Sequence, residues 1–198
     1  MSLRRSTLLF VACAALLAGC AALRPKPTVP AAAAPWDERR KDLEQASRWD
    51  LDGRAAVAFG QQGWQASLNW RQRGTESDLH LAGPLGVGAL AIKVTPAGLS
   101  LNGAPPSDAV VNQLEDRLGF ELPFDDLRYW LLGIPDPGTP FELTRNDKDR
   151  AAHLTQAGWS IDYDDYMPGN GDLLPKRLVL RRADTRVRIA VDRWEAPK

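Results

Sequence analysis

The sequence is poor in cysteine and histidine, and neither sign of charge is in excess. Only Cys13 and Cys20 are present, both within the first twenty residues, so the body of the chain offers no thiol for a disulfide framework. His80 and His153 are the whole imidazole supply, which leaves a zinc site poorly provided. Twenty-five basic residues balance twenty-five acidic ones, whereas a nucleic-acid binder carries a clear basic excess. No apolar run reaches the roughly 20 residues that a membrane-spanning helix needs. Catalytic motifs are missing as well. There is no G-x-S-x-G elbow. The stretch Gly83-Pro84-Leu85-Gly86-Val87-Gly88 lacks the lysine of a phosphate-binding loop and leads into a strand. Asp162, Asp164 and Asp165 around Tyr163 read as a solvated strand face rather than a calcium loop. No enzyme, metal site or cofactor is expected.

What is present begins with an export signal. Arg4 and Arg5 precede an apolar run from Leu8 to Leu17, and small residues lead to Leu17-Ala18-Gly19-Cys20. A basic start, a short greasy middle and a small-residue cut site are the parts of a cleaved signal. A cysteine directly after Leu-Ala-Gly makes it a lipobox. Residues 1–19 are expected to be removed, and Cys20 to be lipidated through its sulfur as the new first residue. Pro25, Pro27, Pro30 and Pro35, with the alanines 31–34, keep residues 20–35 extended as a tether. Residues 36–198 form one domain.

Within that domain the residue pattern changes period. Trp36 to about Ser47 carries Trp36, Arg40 and Leu43 on one helical face. Alternation then takes over. Trp49, Leu51, Gly53, Ala55, Val57 and Phe59 face one way, and Trp64, Ala66, Leu68 and Trp70 repeat the pattern. Shorter alternating pieces follow at 77–82, 89–95 and 99–101, and again at 141–143, 152–154, 159–163, 178–180 and 187–191. Two helices interrupt them. Ser107 caps the first, with Val110, Val111, Leu114 and Leu118 on its buried side, and Pro123 opens the second, Phe124–Leu132. Residues 167–175 read as a loop. The expected fold is mainly β: a single curved antiparallel sheet forming an unclosed β-barrel, with helices as a lid over an apolar cavity.

Seven tryptophans is a high number, and Trp49, Trp64, Trp70, Trp159 and Trp194 all lie in strand-like segments. A curved sheet of this size either packs shut or holds one apolar ligand. Leu85 sits between glycines and a proline. It either folds back into the core or stands at a loop tip, where it would enter lipid or a partner.

These residues resemble the outer-membrane lipoprotein receptor LolB family over Trp36 to Trp194. The resemblance is carried by Gly83-Pro84-Leu85-Gly86 and by Leu122-Pro123 with the run from Leu127 to Pro135. Gly158-Trp159, Tyr163, Tyr166, Pro175 and Trp194 continue it. It implies receipt of acylated lipoproteins from the periplasmic carrier LolA and their insertion into the outer membrane, without nucleotide. The implied partners are that carrier, the acyl chains of the cargo and outer-membrane lipid, with no nucleic acid, and the protein is expected to be a monomer. Leu85, on the loop of Gly83, Pro84 and Gly86, matches the residue to which membrane insertion is assigned. This chain differs after Gly86, where it runs Val87-Gly88-Ala89. Ala21 after Cys20, where aspartate would signal inner-membrane retention, fits lipid-anchored residence at the periplasmic face of the outer membrane. Leu68, Trp70, Val94, Leu180 and Ile189 are the candidate cavity wall, with Leu127 and Trp130 from the lid. The alternative is a structural envelope lipoprotein whose apolar face is a packed core without a ligand.

Overall fold

The structure is a computed structural model describing residues 35–169 and 171–195. The signal, Cys20 and almost all of the tether lie outside the described residues. The unit Pro35–Lys198 holds all the described elements and its own core, so it is built to fold as a unit.

Ten antiparallel strands form one sheet, in the order β5-β4-β3-β2-β1-β10-β9-β8-β7-β6. The strands are β1 (Arg48–Phe59), β2 (Gln62–Arg73), β3 (Glu76–Ala82), β4 (Leu90–Thr95), β5 (Gly98–Leu101), β6 (Phe141–Arg145), β7 (Ala151–Gln156), β8 (Trp159–Gly169), β9 (Asp172–Arg182) and β10 (Thr185–Glu195). The first and last strands pair at the centre, while β5 and β6 remain edges, so the sheet curves without closing. Both edges are short, a common way to blunt pairing with another chain.

Alternation places the core. Along β1, Trp49, Leu51, Ala55 and Val57 are buried, and their neighbours face outward. Two bulges bring in apolar residues that strict alternation would expose. The register shifts between Asp52 and Gly53, opposite Val191 and Arg193. That slip lets both Val191 and Trp194 point inward, three residues apart. A Cβ on Gly53 would lie 2.5 Å from the Ala190 carbonyl, so the close approach needs glycine. A second shift, between Thr144 and Arg145, puts Ala151 in the core beside Leu154 in place of the expected Ala152.

The helices are α1 (Trp36–Gln45), α2 (Asp108–Leu118) and α3 (Phe124–Leu131). In α1 the buried arginine is Arg39 rather than Arg40. Either can share a face with Trp36 and Leu43. The choice falls to Arg39 because its guanidinium meets the Asp172 carboxylate and donates to the Leu173 carbonyl at 3.0 Å. Arg40 instead pairs with Glu44 and lies over the Phe141 ring. Ser107 caps α2, its Oγ accepting the Val110 amide at 3.4 Å, and Gly119 ends the helix in the left-handed region. Val111, expected on the buried side of α2, is exposed.

The expected loop 167–175 is instead a hairpin arm. Met167 pairs with Leu174, Pro168 with Leu173 and Gly169 with Asp172. Prolines are tolerated there because the arm runs past its neighbours. The pairing of β7 with β8 stops at Asp162, and that of β10 with β9 stops at Arg177. Pro168 and Pro175 therefore sit on strand edges that no other strand covers. Trp194 ties the arm down by donating its indole N–H to the Pro175 carbonyl at 2.9 Å.

Candidate functional site

Two features stand out where the sheet meets the α2–α3 region. One is the connection from β3 to β4. Pro84–Gly86 form a single 3₁₀ turn, closed at its base by the Gly83 amide donating to the Val87 carbonyl at 3.1 Å. A Cβ on Gly83 would meet that carbonyl at 2.6 Å, so only glycine allows the closure. The tip residue, Leu85, is 104% exposed, with φ 58° and ψ 22°. Leucine in the left-handed region costs about 1–2 kcal/mol, and the apolar side chain recovers nothing by burial. The loop therefore holds an apolar group out in solvent at a conformational cost. Val87 beside it is also exposed, at 73%.

The second feature is an apolar cavity of about 40 Å³ between the sheet and the segment joining α2 to α3. Of the residues expected at its wall, Leu68, Trp70, Leu127, Leu180 and Ile189 line it. Val94 and Trp130 do not. Val94 lies on β4 opposite Leu99 of the edge strand, away from the cavity. Trp130 is fully buried nearly one turn further along α3. There it packs against Trp159 and donates its indole N–H to Gln156 Oε1 at 2.8 Å. Leu127 and Trp130 are three residues apart and share a broad face of α3, but the contacts of Trp130 with Gln156 and Trp159 hold its ring toward β7 and β8, and only Leu127 reaches the cavity.

The cover is less helical than expected. Leu118 and Leu127 come from helices, but Phe120, Leu122 and Pro123 belong to the short linker between them. The alternation of Phe120 with Leu122 was the available signal for that linker. Trp64, Val57, Leu79 and Leu81 also line the space, and all four stood on the apolar faces read from the sequence. Behind the wall residue Trp70 stand further aromatic rings, with Trp49 5.7 Å from Trp70 and 5.5 Å from Trp194. Among the described residues no cluster of three or more His, Cys, Asp or Glu could hold a metal ion, and no helix is long and apolar enough to cross a membrane.

The fold has a known counterpart. A LolA superfamily protein from Nitrosomonas europaea superposes with a TM-score of 0.53 at 9% identity, covering 84% of this chain and 95% of its own. That likeness shows the fold alone. Sequence comparison is more specific, since the family model described as Outer membrane lipoprotein LolB matches residues 47–194.

This chain belongs to the LolB family.

Curated relatives agree. The outer-membrane lipoprotein LolB of Nitrosococcus oceani is 35% identical over 186 residues, covering 91% of this chain and 92% of its own. That of Stutzerimonas stutzeri is 33% identical over 188 residues, covering 92% and 91%. The LolB match begins just before β1 and ends at Trp194, so it takes in the sheet but for its last residue, the α2–α3 cover and the Leu85 loop.

Proposed function

We propose that this protein is an acylated receptor at the periplasmic face of the outer membrane. It takes lipoproteins from the periplasmic carrier LolA, shelters their acyl chains in the apolar cavity, and inserts them into the membrane without nucleotide. It acts as a monomer, held by lipid on Cys20 and the tether 20–35. The observation that carries the reading is the placement of a wholly apolar cavity beside a loop that strains to keep Leu85 exposed.

The energetics are consistent with passive handover. Each buried CH₂ gains about 0.8 kcal/mol, so a multiply acylated cargo does not cross water unshielded. Transfer runs downhill if the receptor binds the chains more tightly than the carrier and less tightly than the bilayer. A cavity that its own side chains nearly fill meets that requirement. Ligand pockets are typically about 300–1,000 Å³, so a chain enters this one only by displacing the cover. The linker of Phe120, Leu122 and Pro123 is the segment to move, because its side chains are only half-buried.

The smallness of the cavity also favours a second reading, a structural envelope lipoprotein with a packed core. A fluorescent fatty acyl probe separates the two when added to the chain starting at Ala21, which keeps the whole unit Pro35–Lys198. Saturable binding that triacylated peptide displaces supports the receptor. Absence of saturable binding leaves the packed core.

A further inference from the structure

A second concavity, of about 750 Å³, is lined largely by residues of the outward face of the sheet, and of the acyl cavity's lining it shares only Ala55 and Ile189. Its floor is made of small outward-facing residues. Ala56 stands opposite Arg188 across the β1–β10 pair, and Arg54 stands opposite Ala190. Long side chains flanking alanines make a trough on a surface that would otherwise be level. Four arginines, Arg54, Arg177, Arg186 and Arg188, line it against the single carboxylate of Asp164. Arg54 is paired with Asp192 and Arg177 with Asp165. Among the described residues, Arg186 and Arg188 have no ion-pair partner, and both are exposed. One wall of the trough is Gly83 and Pro84, the root of the Leu85 loop.

We propose that this trough is a binding site for the anionic phosphate headgroups of the bilayer that Leu85 enters. Unpaired guanidinium groups are suited to phosphate oxygens, which they bind through two parallel N–H donors. The trough has the volume of a small-ligand site. Its continuity with Gly83 and Pro84 selects a lipid surface over a soluble anion, because any membrane that receives the loop brings its headgroups to this wall. The site would hold the sheet against the membrane in one orientation while the loop tip is in hydrocarbon. The inference rests on the proposed function only in that the latter brings the Leu85 loop to a bilayer.

The test is co-sedimentation of the chain from Ala21 onward with phosphatidylcholine vesicles, with and without phosphatidylglycerol. Phosphatidylglycerol should strengthen binding, and the gain should fade with salt. A basic residue near an anionic surface contributes about a fivefold factor, so Arg186→Ala with Arg188→Ala should weaken binding to the mixed vesicles roughly thirtyfold. Lys148→Ala, a charge loss in the β6–β7 turn, should change nothing. Leu85→Ser should lower binding to both vesicle types yet keep the gain from phosphatidylglycerol. Equal binding by the double arginine variant and the parent overturns the site. So does normal vesicle binding combined with failure to draw cargo from the carrier, which would make the trough a face for that protein. The acyl probe distinguishes this failure from that of the proposed function. It should bind the arginine variants normally, and if it binds no form of the protein the receptor reading fails whatever the vesicles show.

Discussion

Trp64 on β2 donates its indole N–H to the Leu118 carbonyl at 3.2 Å, pinning the C-terminal end of α2 to the sheet. The two residues also line both the apolar cavity and a cleft of about 310 Å³ that opens beside Val87 and Gly88 of the Leu85 loop. The hydrogen bond thus stands between the cavity and the loop. Trp64→Phe keeps an apolar ring and removes the donor. It should cost about 1 kcal/mol, or roughly 2–4 °C in melting temperature for a chain of this size. Acyl probe should enter and leave faster, as read by stopped-flow fluorescence. Unchanged rates would mean that chains do not pass the end of α2.

Gln156 offers a different test, of what holds α3 in place. Its Oε1 accepts from the Trp130 indole and the Asp136 amide, and its Nε2 donates to the carbonyls of Asp136 and Thr139. The side chain is 2% exposed, so all four bonds are sheltered. Gln156→Leu should lower stability by about 3 kcal/mol or more, because buried donors and acceptors are left unpaired. Urea unfolding measures this, and a loss below about 1 kcal/mol would show that water replaces the amide.

The sheet was largely legible because period-2 alternation is strong in β1 and β2, and the starts of α2 and α3 were marked by Ser107 and Pro123. What escaped the pattern has physical causes. Bulges at Asp192 and Ala152 shift the phase of β10 and β7, and nothing in the local residues announces them. The arm 167–175 was hidden by Gly169 and by Pro168 and Pro175, and the prolines break a strand only where a ladder needs the N–H they lack. Arg39 and Arg40 are equivalent by helical spacing, and a carboxylate 133 residues away decides between them. At the site, Leu85 was legible as a residue and its exposure was not. Leu68, Trp70, Leu127, Leu180 and Ile189 of the expected wall line the cavity, whereas Val94 and Trp130 lie elsewhere, because an inward face does not say which part of the interior it meets.

Acid should weaken the fold through its cross-strand ion pairs. Hydrogen bonding to His153, and then to Arg181, holds the Asp162 carboxyl below its ordinary range against an opposing burial effect. A depressed folded-state value means the contribution is present above the unfolded pKa and is lost as pH falls through the folded one. Asp162→Asn should therefore melt below the parent at neutral pH, with the gap closing below about pH 3–4, the ordinary carboxylate range. The pair is more than a third exposed, so the effect at neutral pH should be about 1 kcal/mol or less. A gap that persists unchanged into acid would assign the loss to packing.

Leu85 separates stability from function most cleanly. Its side chain is fully exposed, so Leu85→Glu should leave the melting temperature nearly unchanged, within about 0.5 kcal/mol. It should still abolish insertion, because a carboxylate resists hydrocarbon by about 2.5–3.5 kcal/mol on insertion scales. Cargo should still be accepted from the carrier, since the cavity is untouched, and should then fail to reach the membrane. Leu85→Phe should keep delivery. Leu85→Gly adds a sharper contrast, because glycine adopts φ 58° without strain. That variant should melt at or above the parent and yet deliver poorly, showing that the strained leucine is held there for its contact with lipid rather than for the fold. Radiolabelled lipoprotein followed from carrier to receptor to liposome gives the readout. Normal delivery by the Glu variant removes Leu85 from the insertion step, and early melting of that variant would mean the tip packs inward.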